Sequence, residues 1–69
     1  MELINPEWFR ELLKARGQTP ASFARTVGVT PATLHRLCNG TRRASPALAY
    51  RIAVELEVGW TSLFKVAAA

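Results

Sequence analysis

The residues of this 69-residue chain best suited to bind a ligand are its arginines. Between residues 10 and 51 the sequence carries eight basic side chains and one acid, a net charge of +7, whereas the flanking residues, with four acids and one lysine, carry −3. Seven of the eight bases are arginines, whose planar guanidinium groups suit paired contacts with phosphate and with base edges. This distribution favours a partner of dense negative charge over a merely solvated surface. The eight bases are Arg10, Lys14, Arg16, Arg25, Arg36, Arg42, Arg43 and Arg51.

The sequence contains no arrangement of residues typical of an enzyme. One histidine, one cysteine and five carboxylates show no paired-acid, triad or metal-ligand spacing, and there is no glycine-rich phosphate loop. The single cysteine, Cys38, excludes an internal disulfide and a cysteine-based zinc site, and we interpret it as a semi-buried filler rather than a redox switch. The sequence therefore predicts a protein without catalytic activity, metal, other cofactor or small-molecule ligand.

Length and composition limit the class of protein further. A chain of this length is one domain at most, so we predict a single domain over residues 1–69. Hydrophobic residues make up 49% of it and charged residues 20%, as in ordinary globular domains. No apolar run approaches the roughly 20 residues that span a bilayer, and the acidic N-terminus is unlike a signal peptide. We expect a cytoplasmic protein that does not bind membranes.

The segment 19–40 organises the predicted fold. Two Thr-Pro pairs, at 19–20 and 30–31, are helix starts of the same form, in which threonine caps the first free N–H groups and proline takes the first helical position. Between the two helices, Gly28 supplies the positive φ that ends a helix in a tight turn. Two short helices joined by such a turn form a helix-turn-helix unit.

Similar signals predict three more helices. Asn-Pro at 5–6 and Ser-Pro at 45–46 repeat the cap-plus-proline start, and apolar residues in these segments recur at three- and four-residue spacing. The pattern predicts a compact all-α domain of five helices, with a flexible lead at 1–4, a frayed tail at 67–69 and no strand. The five helices are predicted at residues 6–16, 20–27, 31–38, 46–57 and 60–66.

The third predicted helix has two different faces. Leu34 and Leu37 define its buried side. At about 100° per residue, Ala32, His35 and Arg36 point away from that side. Small side chains at the start of this outward face and one long arginine give it a shape that fits a groove.

Four segments of the sequence together resemble a known family. They are a large apolar residue followed by alanine in the second helix, the turn itself, the end of the third helix, and the fourth and fifth helices. In this order and spacing, over roughly residues 9–64, they are similar to the phage repressor and Cro type of helix-turn-helix, the lambda-repressor-like (XRE-type) fold. The segments are Phe23-Ala24, Val27–Thr30, Leu34–Gly40, and Ser45-Pro46 with Arg51–Ala53, Leu56, Val58 and Leu63-Phe64.

This resemblance implies a sequence-specific regulator of transcription that binds a double-stranded DNA operator, such as a small Cro-like or immunity-type repressor of a prokaryotic or phage-infected cell. Its third helix would lie in the major groove. Pro20 stands where many relatives have a glutamine that contacts phosphate, and Pro31 and Ala32 stand where some have long amide side chains. Cys38 replaces a frequent acid, and Glu57 a common glycine. We therefore expect few direct base contacts.

Arg36 is the main candidate for reading a base, because arginine paired with guanine O6 and N7 is the commonest specific contact. Thr33 can exchange a hydrogen bond with a base, or touch a thymine methyl group together with Ala32. His35 can reach a base or a phosphate, and Pro31 lies at the margin of the same face. The alternative for Arg36 is a solvated arginine or one that binds phosphate alone, and the alternative for His35 is a histidine with no role in binding.

Phosphate contacts are predicted from two other places. One is the basic loop that follows the third helix, together with the backbone N–H groups before it. The other is the N-terminus of the second helix, whose free N–H groups and dipole attract anions. The predicted phosphate-binding residues are Asn39, Gly40, Thr41, Arg42 and Arg43 near the loop, and Thr19, Ser22 and Arg25 on the second helix.

The resemblance also implies a homodimer, at least on DNA, because the family commonly binds two-fold operators. We predict a dimer surface of Val58, Trp60, Leu63 and Phe64 within 58–66. This segment is apolar, and a chain of this size is too small to bury all of its apolar side chains within one monomer. The alternative is that Leu63 and Phe64 seal the monomer core. Two other functions stay open: an antitoxin that represses its own operon while it binds a toxin, and a protein-interaction module without useful DNA affinity.

Overall fold

A computed structural model describes residues 1–66, which form five helices and one pair of two-residue strands. The all-α fold class with five helices is confirmed, and every predicted helix start is reproduced. The expected frayed tail at 67–69 lies outside the described residues. The helices are α1 (Pro6–Ala15), α2 (Pro20–Val27), α3 (Pro31–Asn39), α4 (Pro46–Glu55) and α5 (Trp60–Leu63), and the strands are β1 (Glu2–Leu3) and β2 (Phe64–Lys65).

Helices α1 to α4 begin with the same hydrogen bonds. In each, a side-chain oxygen of the capping residue accepts the backbone N–H three residues later, and proline fills the first helical position. The four N···O distances are 3.1 to 3.2 Å. These caps satisfy donors that have no partner inside a helix, which is why the helices start where the sequence predicts. The capping residues are Asn5, Thr19, Thr30 and Ser45.

The same four helices also end alike. After each, a residue with positive φ lets two backbone N–H groups donate to carbonyls of the last turn, the Schellman arrangement. Glycine supplies the positive φ after three of them, and Glu57, with φ 58°, supplies it after α4. Helix α4 therefore ends at Glu55 rather than at the predicted Glu57. The three glycines are Gly17, Gly28 and Gly40.

Replacing Glu57 with glycine is expected to stabilise the domain by about 1 kcal/mol, because glycine has no Cβ to strain in the left-handed region. The ion pair lost, Arg16 Nη2 to Glu57 Oε2 at 3.4 Å, contributes little since the glutamate side chain is 79% exposed. Thermal unfolding followed by circular dichroism should show a Tm higher by roughly 4–8 °C. Glu57→Ala, which removes the ion pair but keeps the Cβ, is the control; an equal rise in Tm would contradict the explanation.

Residues 1–4 are part of the fold. Strand β1 pairs antiparallel with β2, placing Glu2 opposite Lys65, and the Ala44 N–H donates to the Met1 carbonyl at 2.8 Å. The predictions of a flexible lead and of no strand were therefore wrong, because two-residue strands are too short to show an alternating pattern. Helix α5 likewise ends at Leu63 rather than at 66, since the residues that follow it form β2.

The hydrophobic core draws on all five helices and on β2. Its largest side chains are 1% exposed or less, and the rings of Phe9 and Phe23 meet edge-to-face with centroids 5.8 Å apart. Ala24, completely buried, lets α2 and α3 approach closely. The fully buried large side chains are Phe9, Leu13, Phe23, Val27, Leu34, Ile52, Leu63 and Phe64.

Two of the predicted dimer residues lie in this core. Leu63 and Phe64 are each 1% exposed, because the short α5 and β2 fold back over the helices and close the monomer. Their prediction as dimer surface is corrected accordingly. Val58 and Trp60 are half-buried against the core and keep part of their side chains accessible.

Candidate nucleic-acid interface

Helix α3 is attached to the domain by one face. Leu34 and Leu37 are at most 2% exposed on its inner side, whereas Ala32, His35 and Arg36 are exposed, as the helical period predicted. The turn before α3 contains Gly28 with φ 82°. The outward face of α3 is thus presented to solvent, supported by the packing of the inner face and by the turn before it.

That support includes an arginine whose role the sequence did not reveal. Arg51 on α4 donates from Nη1 to the Val27 carbonyl oxygen at 3.2 Å, at the C-terminal end of α2. A Cβ added to Gly28 would lie 3.4 Å from the same Nη1 atom. Arg51 therefore holds α4 against the turn between α2 and α3. Arg51 is one of the eight basic residues between positions 10 and 51, but the sequence predicted no specific contact for it.

The arginines of the basic segment fall into two groups. Within residues 1–66, the guanidinium groups of Arg10, Arg25, Arg36 and Arg42 make no hydrogen bond or ion pair with protein groups, and all four side chains are exposed. Arg43, by contrast, lies 3.4 Å from Glu2, measured from Nε to Oε1. The four arginines without a protein partner among the described residues are free to bind an external anion.

Thr33 takes part in the cap of α3. Its hydroxyl lies 2.9 Å from the Thr30 hydroxyl, and its backbone N–H donates to the Thr30 Oγ1 at 3.2 Å. Thr33 is half-buried, while Pro31 beside it is exposed. Because a hydroxyl offers one donor and two acceptor lone pairs, Thr33 keeps capacity for two further hydrogen bonds.

His35 and Asn39 form a hydrogen-bonded pair on the outward face of α3. The Asn39 side-chain nitrogen lies 3.0 Å from His35 Nε2, one helical turn away. Since an amide NH₂ group only donates, this hydrogen bond requires Nε2 as the acceptor, which is the tautomer with the proton on Nδ1. The pair therefore places two hydrogen-bonding side chains one helical turn apart on the exposed face of α3.

The backbone N–H groups of residues 40–42, directly after α3, are already occupied. Gly40 donates to the Leu37 carbonyl at 3.2 Å, and Thr41 and Arg42 donate to the Arg36 carbonyl at 3.0 and 3.3 Å. The Thr41 hydroxyl donates to the same Arg36 oxygen at 3.2 Å. The expected phosphate contact through backbone groups at Gly40 is therefore corrected, because the Schellman ending uses them.

Asn39 is the last residue of α3, so its backbone N–H also lies inside the helix. Its side chain, by contrast, is exposed. Any contact that Asn39 makes with a ligand has to come from the side-chain amide, which the prediction did not consider.

The N-terminus of α2 is also largely satisfied. Thr19 and Ser22 form a capping box in which each side-chain oxygen accepts the other's backbone N–H, at 3.0 and 3.1 Å. The Ser22 hydroxyl is also 2.9 Å from Gln18 Oε1, and Pro20 has no N–H. Only the Ala21 N–H remains without a capping partner. The N-terminus of α2 therefore offers a phosphate fewer free N–H donors than the sequence predicted.

Cys38 lies on the inner side of α3 and is 8% exposed. Burial raises the pKa of the Cys38 thiol, and the charge of Arg10 opposes this only in part. A raised pKa keeps the thiol protonated at neutral pH, and a protonated thiol is a poor nucleophile. The interpretation of Cys38 as a filler of the core agrees with this environment.

Two negative findings apply to residues 1–66. They contain no group of three or more His, Cys, Asp or Glu side chains placed to hold a metal ion. Among the helices in this described part, none is both long and apolar enough to cross a bilayer.

Two capped helices joined by a glycine turn, the second with an exposed polar and basic face, define a helix-turn-helix domain. The chain belongs to the helix-turn-helix family of the lambda-repressor-like (XRE) type, since the family model described as "Helix-turn-helix" matches residues 9–63. This match confirms the resemblance seen in the sequence and assigns the protein to a class of DNA-binding regulators. Neither curated proteins nor solved structures gave a significant match.

Proposed function

We propose that this protein is a sequence-specific regulator of transcription, a small repressor of the Cro-like or immunity type. It binds a double-stranded DNA operator with α3 in the major groove. The main support for the proposal is the Arg36 side chain, which is exposed and has no protein partner in residues 1–66. It lies on the outward face of α3, whose opposite face packs on the core.

Base reading is assigned to the outward face of α3. Arg36 pairs with a guanine, and Thr33 with Ala32 contacts a neighbouring base or thymine methyl group. His35 supports this reading through Nδ1, held in place by its hydrogen bond to Asn39. Because these direct contacts are few, sequence-dependent DNA shape contributes to operator choice.

Phosphate binding is assigned to side chains on both sides of α3. Arg42 and Arg43 in the loop contact one part of the DNA backbone, and Thr19 and Arg25 on α2 contact another. Such contacts fix the register of the protein on the duplex and contribute equally on every sequence.

Changing Arg42 and Arg43 together to alanine should weaken binding to all duplexes alike and lower the slope of log affinity against log salt by about one to two units, since each phosphate contact releases counterions. Fluorescence anisotropy titrations over a range of salt concentrations measure this slope. The control is Arg10→Ala with Lys14→Ala, which removes the same charge from α1. If the control lowers the slope equally, the loop is not the phosphate-binding site.

The test of the proposed function is selection from a pool of random duplexes. A repressor of this type enriches one motif, with half-sites about one helical turn apart if the protein binds as a dimer. Absence of any enriched motif would overturn the proposal and favour a protein-interaction module. If this protein bound a toxin encoded by an adjacent gene, the antitoxin function would be favoured.

The dimer is proposed to form on the operator through Val58 and Trp60. Both are half-buried side chains that keep some exposed apolar area. They follow α4 and precede the buried end of α5, at the edge of the core. A second copy placed there would cover this remaining area.

A further inference from the structure

Glu2 lies between two cations beside the loop that follows α3. Its Oε1 atom is 3.4 Å from Arg43 Nε, and its Oε2 atom is 4.0 Å from Lys65 Nζ. The Glu2 side chain is 39% exposed, whereas those of Arg43 and Lys65 are 64% and 63% exposed. The carboxylate is thus partly shielded while both cations remain accessible to other anions.

Main-chain hydrogen bonds, rather than the ion pair, hold Glu2 in this position. The pairing of β1 with β2 places Glu2 directly opposite Lys65. On the other side, the Ala44 N–H donates to the Met1 carbonyl oxygen at 2.8 Å, which joins the residue before Glu2 to the residue after Arg43. The backbone of Glu2 therefore stays close to that of Arg43 whether or not the two side chains are paired.

We propose that Glu2 competes with DNA phosphate for Arg43 and so sets the affinity of the protein for DNA. The inference rests on the proposed function. A carboxylate and a phosphate offer the guanidinium group the same kind of charged oxygen acceptor, so Arg43 binds one at the expense of the other. When Arg43 turns to a phosphate, Glu2 keeps Lys65 as a partner, with Nζ 4.0 Å from Oε2.

The two neighbouring arginines of the loop differ in this respect. Arg42 has no acid within ion-pair distance among residues 1–66, and it binds phosphate without losing a contact. Arg43 gives up its pair with Glu2. Because phosphate contacts act on every sequence, Glu2 restrains operator and non-operator binding alike.

The test is Glu2→Gln in the full chain, with affinities measured by fluorescence anisotropy for the selected operator duplex and for a scrambled duplex. We expect affinity for both to rise about two- to fivefold, the range of an exposed ion pair, and the salt slope to steepen by up to about one unit. The matched control is Glu55→Gln, an exposed acid on α4 with no cation within 4 Å among residues 1–66. It makes the same charge change and should leave both affinities nearly unchanged.

A double-mutant cycle separates competition from general repulsion. If Glu2 acts through Arg43, the gain from Glu2→Gln disappears in an Arg43→Gln background. An equal gain in both backgrounds, or in the Glu55→Gln control, overturns the inference, as does a loss of affinity in Glu2→Gln. Wild-type protein that binds no duplex overturns the proposed function and the inference together; wild-type protein that binds, with Glu2→Gln unchanged, overturns the inference alone.

Discussion

Replacing Arg36 with alanine is expected to cost about 1–3 kcal/mol of discrimination at one base pair of the operator, and much less on unrelated duplexes. The side chain is exposed on α3 and makes no polar contact with protein groups in residues 1–66, so its loss removes the base contact and leaves the fold intact. Selection from random duplexes, repeated with the variant, should show relaxed preference at a single position.

The control for this experiment is Arg25→Ala, which removes an exposed arginine of the same charge from α2. Because Arg25 is assigned to a phosphate contact, Arg25→Ala should weaken binding to all sequences to the same extent and leave the enriched motif unchanged. If Arg36→Ala also weakens every sequence equally, Arg36 contacts phosphate rather than a base. Unfolding curves of both variants should match that of the wild type, because neither side chain belongs to the core.

Replacing Phe64 with alanine is expected to lower the free energy of unfolding by about 3–5 kcal/mol, the usual cost of deleting a buried aromatic ring. Phe64 is 1% exposed and packs where β2 closes the core. Domains have only about 5–15 kcal/mol of stability in total, so a large fraction of the variant should be unfolded at 37 °C. Urea unfolding followed by circular dichroism measures the loss.

Trp60→Ala separates the core from the proposed dimer surface. Trp60 is half-buried, so the variant should lose less stability than Phe64→Ala and should instead weaken assembly on the operator, as measured by sedimentation. Wild-type protein that stays monomeric both free and on a full operator would refute the dimer. A stable Phe64→Ala monomer that has lost only dimerisation would restore Phe64 to the dimer surface.

Much of the fold was predictable because the helix boundaries depend on local chemistry. A capping side chain and a proline mark each of the first four helix starts, and these signals need no information from distant residues. Glycine similarly marks three of the helix ends. The end of α4 was predicted two residues too late, because Glu57 occupies the position where glycine was expected.

The parts that the sequence did not reveal depend on contacts between distant segments. The pairing of Glu2 with Lys65 joins residues 63 positions apart, and two-residue strands carry no periodic signal. The burial of Phe64 follows from that pairing as much as from its apolar character. The helical period did predict which side chains of α3 are exposed, but it gave no sign that the loop N–H groups were used internally.

The one-sided attachment of α3 has a consequence for protein engineering. Its inner leucines, Leu34 and Leu37, carry the packing, while Ala32, His35 and Arg36 contribute almost nothing to the core. The residues that pack and the residues proposed to read DNA are therefore different residues of the same nine-residue helix. A library of variants changed only at the outward positions would keep the same fold and could be selected for binding to many different DNA sequences. The domain would then serve as a scaffold for engineered specificity.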